Sequence, residues 1–413
     1  MITIKRVELI NGSISDVTID SCTERLIDGN GLTLLPALID PTVNFRVPGS
    51  EHKEDWVTGA QAALAGGVST VFDMPGNNPA CCSQEGLHAK LALIKLQLQE
   101  AGLPLRYHLY LGADREHLNE IPKVKHEIIG IKMFMSSASG GMLIDDEGTQ
   151  EEVFKLAAQY KLLLAVYAED DSIIRRNKES RPDRVDPSIH SKIRSREAAI
   201  KAVERAVALT EKYQTRLLLL HCSTKEEVAI VREAKAKGLP VYAEACTRHM
   251  FLDESAYKRF GMLAKINPPL RTAEDRLALW EAIHDGTIDI IGSDHSPHTQ
   301  TEKSRPYDQT PAGAPGVELT LPLLLDATNH GWLTLQRLVE LTRTNVEKIY
   351  GLSPNDDVVL VDRRLRRTVT DEDLKTRVRW SLFKGLTLTG WPVTTIIRGN
   401  IIDVGVSLCH RVS

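Results

Sequence analysis

Three residues whose side chains are suited to catalysis end apolar, strand-like runs of the sequence: Lys132 in IIGIKMFM, His221 in LLLLHCST and Asp294 in GSDHSPH. Such side chains can bind a metal ion or move protons when they lie together. Each also has a structural interpretation. His221 could be a hydrogen-bonded core histidine, Asp294 the cap of a turn, and Lys132 a side chain whose head reaches solvent. The choice depends on the elements that position them.

Apolar strand patterns and helical patterns alternate from about residue 37 to residue 350, which is typical of parallel β-α units. Eight strand runs fit this stretch and predict a (β/α)8 TIM barrel, with a doubly wound sheet as the alternative. The predicted strands are Leu38–Phe45, Val68–Met74, Leu105–Leu111, Gly130–Phe134, Leu162–Ala168, Leu217–His221, Val241–Ala245 and Ile288–Ser293. The predicted helices are Trp56–Ala65, Gly86–Leu98, Glu151–Tyr160, Ser195–Tyr213, Lys225–Lys237 and Glu274–Asp285.

Both ends of the chain are predicted to form a small β-domain beside the barrel. Residues 1–36 contain short β runs, and the tail returns to β patterns. We therefore expect an α/β fold with a barrel of residues 37–354 and a β-domain of residues 1–36 and 355–413. The predicted tail strands are Val358–Val361, Leu386–Thr389, Val393–Arg398 and Ile401–Val404. The polar segment Thr299–Gly316 is predicted to be a long loop, which is often functional.

Composition excludes several classes of protein. The 413 residues are 42% hydrophobic and 26% charged, as in ordinary globular proteins. The net charge of -4 gives no support for binding to nucleic acid or to a membrane surface. The N-terminal MITIKRVELI is neither a signal peptide nor long enough to span a bilayer. Six scattered cysteines fit free thiols, so we expect a cytoplasmic protein.

The segment PALIDPTVNFRVP at residues 36–48, together with the motifs around His221 and Asp294, resembles dihydroorotase. Dihydroorotases are metal-dependent cyclic-amide hydrolases of the amidohydrolase superfamily. The segments NPPLR at residues 267–271, PAGAPGVE at 311–318 and GWPV at 390–393 extend the resemblance over nearly the whole chain. In the family the first segment carries His-x-His-x-Arg, whose histidines hold metal.

The resemblance implies six metal-ligand positions at five strand ends, and three of them keep the family's residue type. Lys132 matches the lysine that becomes carboxylated and bridges two metals. His221 and Asp294 match further ligands, and Asp294 would also be the catalytic general base and acid. Without metals we expect a protonated Lys132 within hydrogen-bonding distance of Asp294.

The other three positions carry Thr42, Asn44 and Tyr167 where the family has histidines. A threonine hydroxyl is neutral, an amide oxygen suits hard cations, and a phenol ionises only near pH ~10. We therefore expect no fully occupied zinc site. Zinc is expected only in a remodelled, perhaps mononuclear centre of the surviving ligands, with help from Asn44, Tyr167 or Glu169.

A substrate carboxylate is held in the family by three side chains. Arg46 matches the arginine and His298 the histidine, and Asn267 belongs to a segment that lines the site mouth in relatives. An arginine fork can donate two parallel hydrogen bonds to a carboxylate. The structural alternative for Arg46 is an ion pair with Glu51 or Asp55.

The third carboxylate-binding residue of the family, an asparagine after Met-Pro, is missing. Gly76 stands at its position and Asn77 follows. Two questions stay open: whether Gly76 is required for a turn with positive φ, and whether Asn77 swings into the vacancy.

Three functions fit these observations. The first is a pseudoenzyme of pyrimidine biosynthesis that is weak or inactive and assembles with aspartate transcarbamoylase or an intact dihydroorotase. The second is an active cyclic amidohydrolase with a remodelled centre. The third is a binding protein for small carboxylates. We favour the first and expect a homo-oligomer.

Overall fold

The structure is a computed structural model that describes residues 1–136, 141–181 and 186–404. Its strands, in chain order, are β1 (Ile2–Glu8), β2 (Ile14–Ile19), β3 (Arg25–Asp28), β4 (Thr33–Pro36), β5 (Leu38–Val43), β6 (Val68–Asp73), β7 (Arg106–Gly112), β8 (Gly130–Phe134), β9 (Leu164–Tyr167), β10 (Leu217–Leu219), β11 (Val241–Cys246), β12 (Ile290–Gly292), β13 (Val358–Thr368), β14 (Thr387–Ile397) and β15 (Asn400–Asp403).

The helices are α1 (Trp56–Ala65), α2 (Gln84–Glu100), α3 (Ile121–Val124), α4 (Glu147–Gln159), α5 (Asp171–Glu179), α6 (Ile189–Ile193), α7 (Arg196–Tyr213), α8 (Lys225–Ala236), α9 (Thr247–Phe251), α10 (Ala256–Phe260), α11 (Ala273–Asp285), α12 (Gln300–Lys303), α13 (Thr320–Asn329), α14 (Leu335–Val339) and α15 (Asn345–Tyr350). Short 3-10 turns lie at Leu118–Glu120, Gly261–Ala264, Tyr307–Gln309 and Val317–Leu319, and a π-helical turn at Glu340–Thr344. No described helix is long and apolar enough to cross a membrane.

Strands β5 to β12 pair in sequence order as one parallel sheet. The ends of this sheet meet where Val43 bridges His295, and the amide of Asn44 donates to the carbonyl of His295 at 2.7 Å. The predicted barrel is therefore confirmed, and the doubly wound alternative is wrong. Because all eight strands are parallel, their carboxyl ends open on one face.

The barrel interior is filled by apolar side chains that alternate along the strands. Phe72, Tyr110, Leu218 and Ile290 are almost fully buried there. Tyr350 of α15 packs edge-on against Phe72, with ring centroids 4.7 Å apart. Burying one such side chain stabilises the fold by about 1.5–3 kcal/mol, so the interior is a packed core and not a pore.

Several barrel helices begin at the residue types that cap helices. Asp55, Ser195, Thr224 and Thr272 each accept a hydrogen bond from a backbone amide of the first turn. A side chain of this type stabilises a helix by about 1 kcal/mol, because it satisfies an otherwise unpaired N–H group. These caps explain why the helix starts could be read from the sequence to within a few residues.

The terminal segments form a separate mixed sheet in the order β15-β14-β13-β4-β1-β2, with β3 also paired to β1. Strand β4 joins the two ends of the chain by pairing with β13. One tail prediction is wrong, because Leu386–Thr389 and Val393–Arg398 belong to the single strand β14. Strand β14 continues through Gly390, at φ +107°, where a break was expected. Its pairing with β13 is irregular at this point, as in a β-bulge. The exact domain boundaries stay a prediction.

Candidate functional site

A cavity of about 110 Å³ opens at the carboxyl ends of the barrel strands. Nine residues singled out in the sequence lie on its walls: Thr42, Asn44, Arg46, Lys132, Tyr167, His221, Asn267, Asp294 and His298. Their expected roles stay predictions, but their convergence follows from the parallel strands that carry them.

Three of these residues have a strained backbone. Arg46, His221 and Asp294 have positive φ values of 65°, 39° and 45°. A non-glycine residue in this region costs on the order of 1 kcal/mol or more, and such residues cluster at functional sites. Backbone strain is therefore concentrated at the carboxyl ends of the barrel strands, as it is at many ligand-binding sites.

Lys132 lies inside the barrel mouth and not at the surface. The residue is 2% exposed, and Nζ lies 4.4 Å from the centroid of the Phe134 ring. Burial lowers the pKa of Lys132 to about 7, and the nearby carboxylates of Glu244 and Asp294 oppose the shift. The interpretation of Lys132 as a solvent-reaching lysine is thus wrong.

The carboxylate of Asp294 pairs with Arg248, a residue that sequence reasoning missed. Arg248 Nη2 donates to Oδ2 of Asp294 and, at 2.6 Å, to its carbonyl, and Nη1 donates to the carbonyl of Ala314 at 2.8 Å. The expected hydrogen bond between Lys132 and Asp294 is not formed, because Arg248 approaches the carboxylate from α9. Burial raises the pKa of Asp294, and Arg248 is the main opposing influence. An arginine just past the seventh barrel strand was the available signal.

Tyr167 is held in a buried ionic network. Its hydroxyl donates to Glu169 and accepts from Arg194 Nη2 at 2.6 Å. Arg194 Nε also donates to Glu169 at 2.7 Å, and Arg271 Nη2 lies 3.5 Å from the same carboxylate. Burial raises the pKa of Tyr167 well above its usual value. Neither the phenol nor Glu169 is therefore free for a metal ion.

Thr42 and Asn44, at the first strand end, also have partners. Thr42 Oγ1 donates to Glu244 at 2.6 Å, and Asn44 Nδ2 donates to the carbonyl of His295 at 3.3 Å. Glu244 is a second residue that sequence reasoning missed, although it lies near the end of a predicted strand. Burial raises the pKa of Glu244 to about 8. The threonine hydroxyl is thus used to satisfy a buried carboxyl group.

His221 is not the satisfied core histidine of the structural interpretation. Its Nδ1 is buried and has no hydrogen-bond partner in the described part of the chain. Burial, followed by the charge of Lys132, lowers the pKa of His221 well below its usual value. The ring is a neutral imidazole at the cavity wall, and its edge faces Tyr167 with centroids 5.0 Å apart.

Arg46 and His298, the two residues expected to bind a substrate carboxylate, contact each other at the mouth. Arg46 Nη2 lies 3.2 Å from His298 Nε2, and Arg46 Nε donates to the carbonyl of Pro297 at 3.2 Å. No ion pair joins Arg46 to Glu51 or Asp55, so the structural alternative is wrong. Burial lowers the pKa of Arg46 to about 10.

The space left at Gly76, where the family has an asparagine, is not filled by the side chain of Asn77. Asn77 Nδ2 donates to the carbonyl of Val47 at 2.9 Å, and its Oδ1 accepts from Lys90 at 2.7 Å. Gly76 does not have positive φ. Among the described residues, a Cβ on Gly76 would meet only Asn44 Oδ1 at 3.8 Å and Met142 at 4.0 Å. The glycine therefore leaves open space in the cavity and is not required by the backbone.

Asn267 is oriented from outside the cavity. Its Oδ1 lies 2.9 Å from Nε2 of His190, whose Nδ1 lies 2.7 Å from the hydroxyl of Tyr307. Nearby, the segment 299–316 that was predicted as a long loop contains α12 and a 3-10 turn, and Lys303 at the end of α12 donates to three carbonyls. His298, just before this segment, and Gly313, within it, line the cavity. In the described ranges, no three histidine, cysteine, aspartate or glutamate side chains form a group suited to a metal ion.

Comparison with known proteins gives the family. Residues 31–227 match the family model "Dihydro-orotase-like". A dihydroorotase of Methanosarcina acetivorans is 31% identical over 95% of this chain and 87% of its own length. The multifunctional protein CAD of Squalus acanthias is 32% identical over 90% of this chain and 15% of its own length.

Among solved structures, the L-hydantoinase (dihydropyrimidinase) of Arthrobacter aurescens superposes with a TM-score of 0.89 at 25% identity. That alignment covers 97% of this chain and 96% of the hydantoinase. The shared barrel, the accompanying mixed sheet and the identity to a dihydroorotase over most of both chains lead to one conclusion. This chain belongs to the dihydroorotase family.

Proposed function

We propose that this chain is a dihydroorotase-like protein of pyrimidine biosynthesis whose hydrolytic centre is weak or inactive. The observation that carries the proposal is that Asp294, the candidate general base, is paired with the buried guanidinium of Arg248. That hydrogen bond occupies the carboxylate oxygen that would otherwise accept a proton from water or bind a metal ion.

The donors at the mouth support the same proposal, because they do not fit a binuclear zinc centre. Zinc takes imidazole, thiolate and carboxylate ligands. Thr42 offers a hydroxyl that Glu244 uses, Asn44 an amide, and Tyr167 a phenol that Glu169 and Arg194 use. Metal-bound water has a pKa near ~7, and ammonium and guanidinium groups do not supply that activation.

An active cyclic amidohydrolase with a mononuclear centre is the second candidate. The buried Nδ1 of His221 without a partner among the described residues favours it, because a metal ion would satisfy that atom. Lys132 and Asp294 lie on the same cavity wall and would be the other ligands.

The two candidates differ in turnover and metal content. We expect the purified chain to hydrolyse or cyclise dihydroorotate at least ~1000-fold more slowly than a dihydroorotase with the full ligand set, because metal activation supplies several kcal/mol and each ~1.4 kcal/mol is tenfold. Elemental analysis should find well below one zinc per chain. A rate equal to that of the intact enzyme, abolished by Asp294→Ala, would establish the mononuclear hydrolase instead.

The retained role in this proposal is association in the cytosol with aspartate transcarbamoylase or an intact dihydroorotase, and with a second copy. Two observations support it. The CAD relative carries the matching region as 15% of a multifunctional chain, and α2 exposes Leu93 and Leu96 on the barrel surface. A specific interface should bury about 1,000 Å² or more. Sedimentation of the chain, alone and mixed with each enzyme at micromolar concentration, tests it; a monomer in every mixture contradicts it.

A further inference from the structure

The other end of the barrel carries a second, larger cleft. It has a volume of about 720 Å³ and shares no lining residue with the cavity at the barrel mouth. Its walls are the end of α2, the segment 102–105, the first residues of β7 and the turn between β14 and β15. Because β7 begins at Arg106, the cleft lies at the amino ends of the barrel strands. Ligand-binding clefts ordinarily have volumes of about 300–1,000 Å³, so this cleft has room for a molecule of nucleotide size.

The side chains that line this cleft carry an excess of positive charge. Lys95, Arg106 and Arg398 are cationic, His108 contributes an imidazole, and no aspartate or glutamate is among the described lining residues. Asp357, which pairs with Arg106, is 2% exposed and is not part of the wall. Neither Lys95 nor the guanidinium of Arg398 forms a salt bridge with a described residue. The positive charge that remains favours an anionic ligand.

The carboxylate of Asp357 holds both arginines in place. Its Oδ2 accepts from Arg106 Nε at 2.6 Å, and its Oδ1 accepts from Arg106 Nη2 at 3.3 Å. The same Oδ1 accepts from the backbone amide of Arg398 at 2.9 Å. Arg106 Nη1 has no hydrogen-bond partner within the described ranges. A guanidinium that is already held on one edge loses less conformational freedom when a ligand binds it.

The turn between β14 and β15 places a cation where the backbone disfavours one. Ile397 pairs with Asn400, so the two turn residues are Arg398 and Gly399, with φ values of +50° and +70°. Two-residue turns with positive φ at both positions favour asparagine and glycine, because other side chains are strained there. Arg398 therefore costs stability at this position, and its side chain lines the cleft. Such a combination indicates a side chain with a use outside the fold.

We propose that this cleft binds a polyphosphate group, either as inorganic triphosphate or as the phosphate chain of a nucleotide. Arg106 and Arg398 supply planar donors that match phosphate oxygens, and Lys95 supplies a point charge on a flexible stem. Tyr107 and the adjoining Leu103 and Pro104 give the cleft an apolar side against which a base can pack. The cleft is separate from the barrel mouth, so this inference goes beyond the proposed function and does not depend on it.

The experiment is calorimetric titration of the full chain with sodium triphosphate and with ATP, and with sulfate as the control anion, at fixed ionic strength. We expect triphosphate to bind at least ~10-fold more tightly than sulfate, because it accepts more charge-assisted hydrogen bonds from the three cations. Tighter binding of ATP than of triphosphate would assign the nucleotide. Equal or weaker binding of ATP would assign the phosphate chain alone. Equal binding of triphosphate and sulfate would overturn the inference.

The variant Arg398→Asn separates ligand binding from folding. Asparagine is favoured in this turn, so the variant should melt at the wild-type temperature or higher, and it should bind triphosphate at least ~10-fold more weakly. Lys95→Gln should also weaken binding without lowering the melting temperature, because Lys95 is exposed on α2. Lys237→Gln is the matched control. It removes an exposed charge just past the end of α8, outside the cleft, and should leave binding unchanged.

Two further results would contradict the site. Unchanged triphosphate binding in Arg398→Asn, or an equal loss in Lys237→Gln, would mean that net surface charge attracts the anion. Loss of binding in Arg46→Gln, without loss in Arg398→Asn, would place the anion at the barrel mouth. These titrations involve neither dihydroorotate turnover nor zinc content, so their failure would leave the proposed function standing.

Discussion

Single side chains at the barrel mouth are held by partners that their own motifs do not contain. Asp294 belongs to GSDHSPH, but its carboxylate is engaged by Arg248, 46 positions earlier. Thr42 belongs to β5, the first barrel strand, but its hydroxyl donates to Glu244, 202 positions later. What a residue can do is therefore decided by these partners, because an oxygen that is already hydrogen-bonded is less available to a metal ion or a substrate.

The open space around Gly76 predicts that a larger side chain is tolerated at this position. Gly76→Ala should change the free energy of unfolding by less than about 1 kcal/mol, because the added Cβ meets no described atom closer than 3.8 Å. Gly112→Ala is the matched control. Its Cβ would lie 2.5 Å from Met142 Sδ and 2.9 Å from Cys82 Sγ, so it should destabilise the chain by about 1–3 kcal/mol. Urea denaturation measures both, and equal losses would contradict the geometry.

At the scale of elements, a buried network ties four parts of the barrel together. Ser136 follows β8, Tyr167 ends β9, Arg194 follows α6, and Arg271 precedes α11. These residues meet around the carboxylate of Glu169 through hydrogen bonds of Arg194 and Arg271. The network fixes the walls of the mouth by buried ion pairs and hydrogen bonds.

Removal of Glu169 should be far more costly than removal of the phenol hydroxyl. Glu169→Ala leaves Arg194 and Arg271 buried without their carboxylate and should destabilise the chain by about 3–5 kcal/mol. Tyr167→Phe keeps the ion pair and should cost about 1–3 kcal/mol. Chemical denaturation with the exposed substitution Glu147→Ala as control provides the measurement. A smaller loss for Glu169→Ala than for Tyr167→Phe would mean that the ion pairs contribute little.

At the scale of the whole molecule, the tail is fastened to the barrel beside the site by the carboxylates of the buried Glu54 and the half-buried Glu318. Glu54 accepts from the amide of Arg377 at 3.2 Å and contacts Nε2 of His295 at 3.1 Å. Glu318 accepts from the amide of Lys375 at 2.8 Å. Because His295 follows Asp294 directly, the packing of the tail and the position of the candidate base are physically linked.

The raised pKa of Glu318 predicts that the stability of the folded chain depends on pH. Burial raises its pKa from an ordinary value of 4.5 to about 7. The folded chain therefore binds this proton more tightly than the unfolded chain does. The resulting stability is complete below pH 4.5 and is lost as the pH rises through about 7.

Glu318→Gln should remove that part of the decline, because the amide does not titrate. Between pH 5 and pH 8 the wild-type chain should lose roughly 2–3 kcal/mol more than the variant, at ~1.4 kcal/mol per pKa unit. Urea unfolding of both chains at the two pH values tests this. Parallel pH profiles would show that Glu318 is ionised in the folded chain across this range.

The sequence by itself determined the barrel, the order of its elements and the strand ends that converge on the cavity. Strand β8 and helix α1 have the predicted bounds, Gly130–Phe134 and Trp56–Ala65. This was readable because hydrophobic periodicity and capping residues are local properties of the chain. The continuous strand β14 was missed, because its pairing with β13 overrides the local signal of Gly390 and Pro392.

Only the tertiary structure decided which charges meet. The sequence placed Glu244 and Arg248 around the end of the seventh predicted barrel strand, but it did not show that they engage Thr42 and Asp294, or that Arg194 engages Tyr167. It also left open the vacancy at Gly76, which Asn77 does not fill because Lys90 and Val47 hold its amide. Ion pairs and burial join residues far apart in the chain, and their energies depend on the distance between atoms and on the exclusion of water. Hydrophobic periodicity and motif spacing give neither the distances between atoms nor the degree of burial.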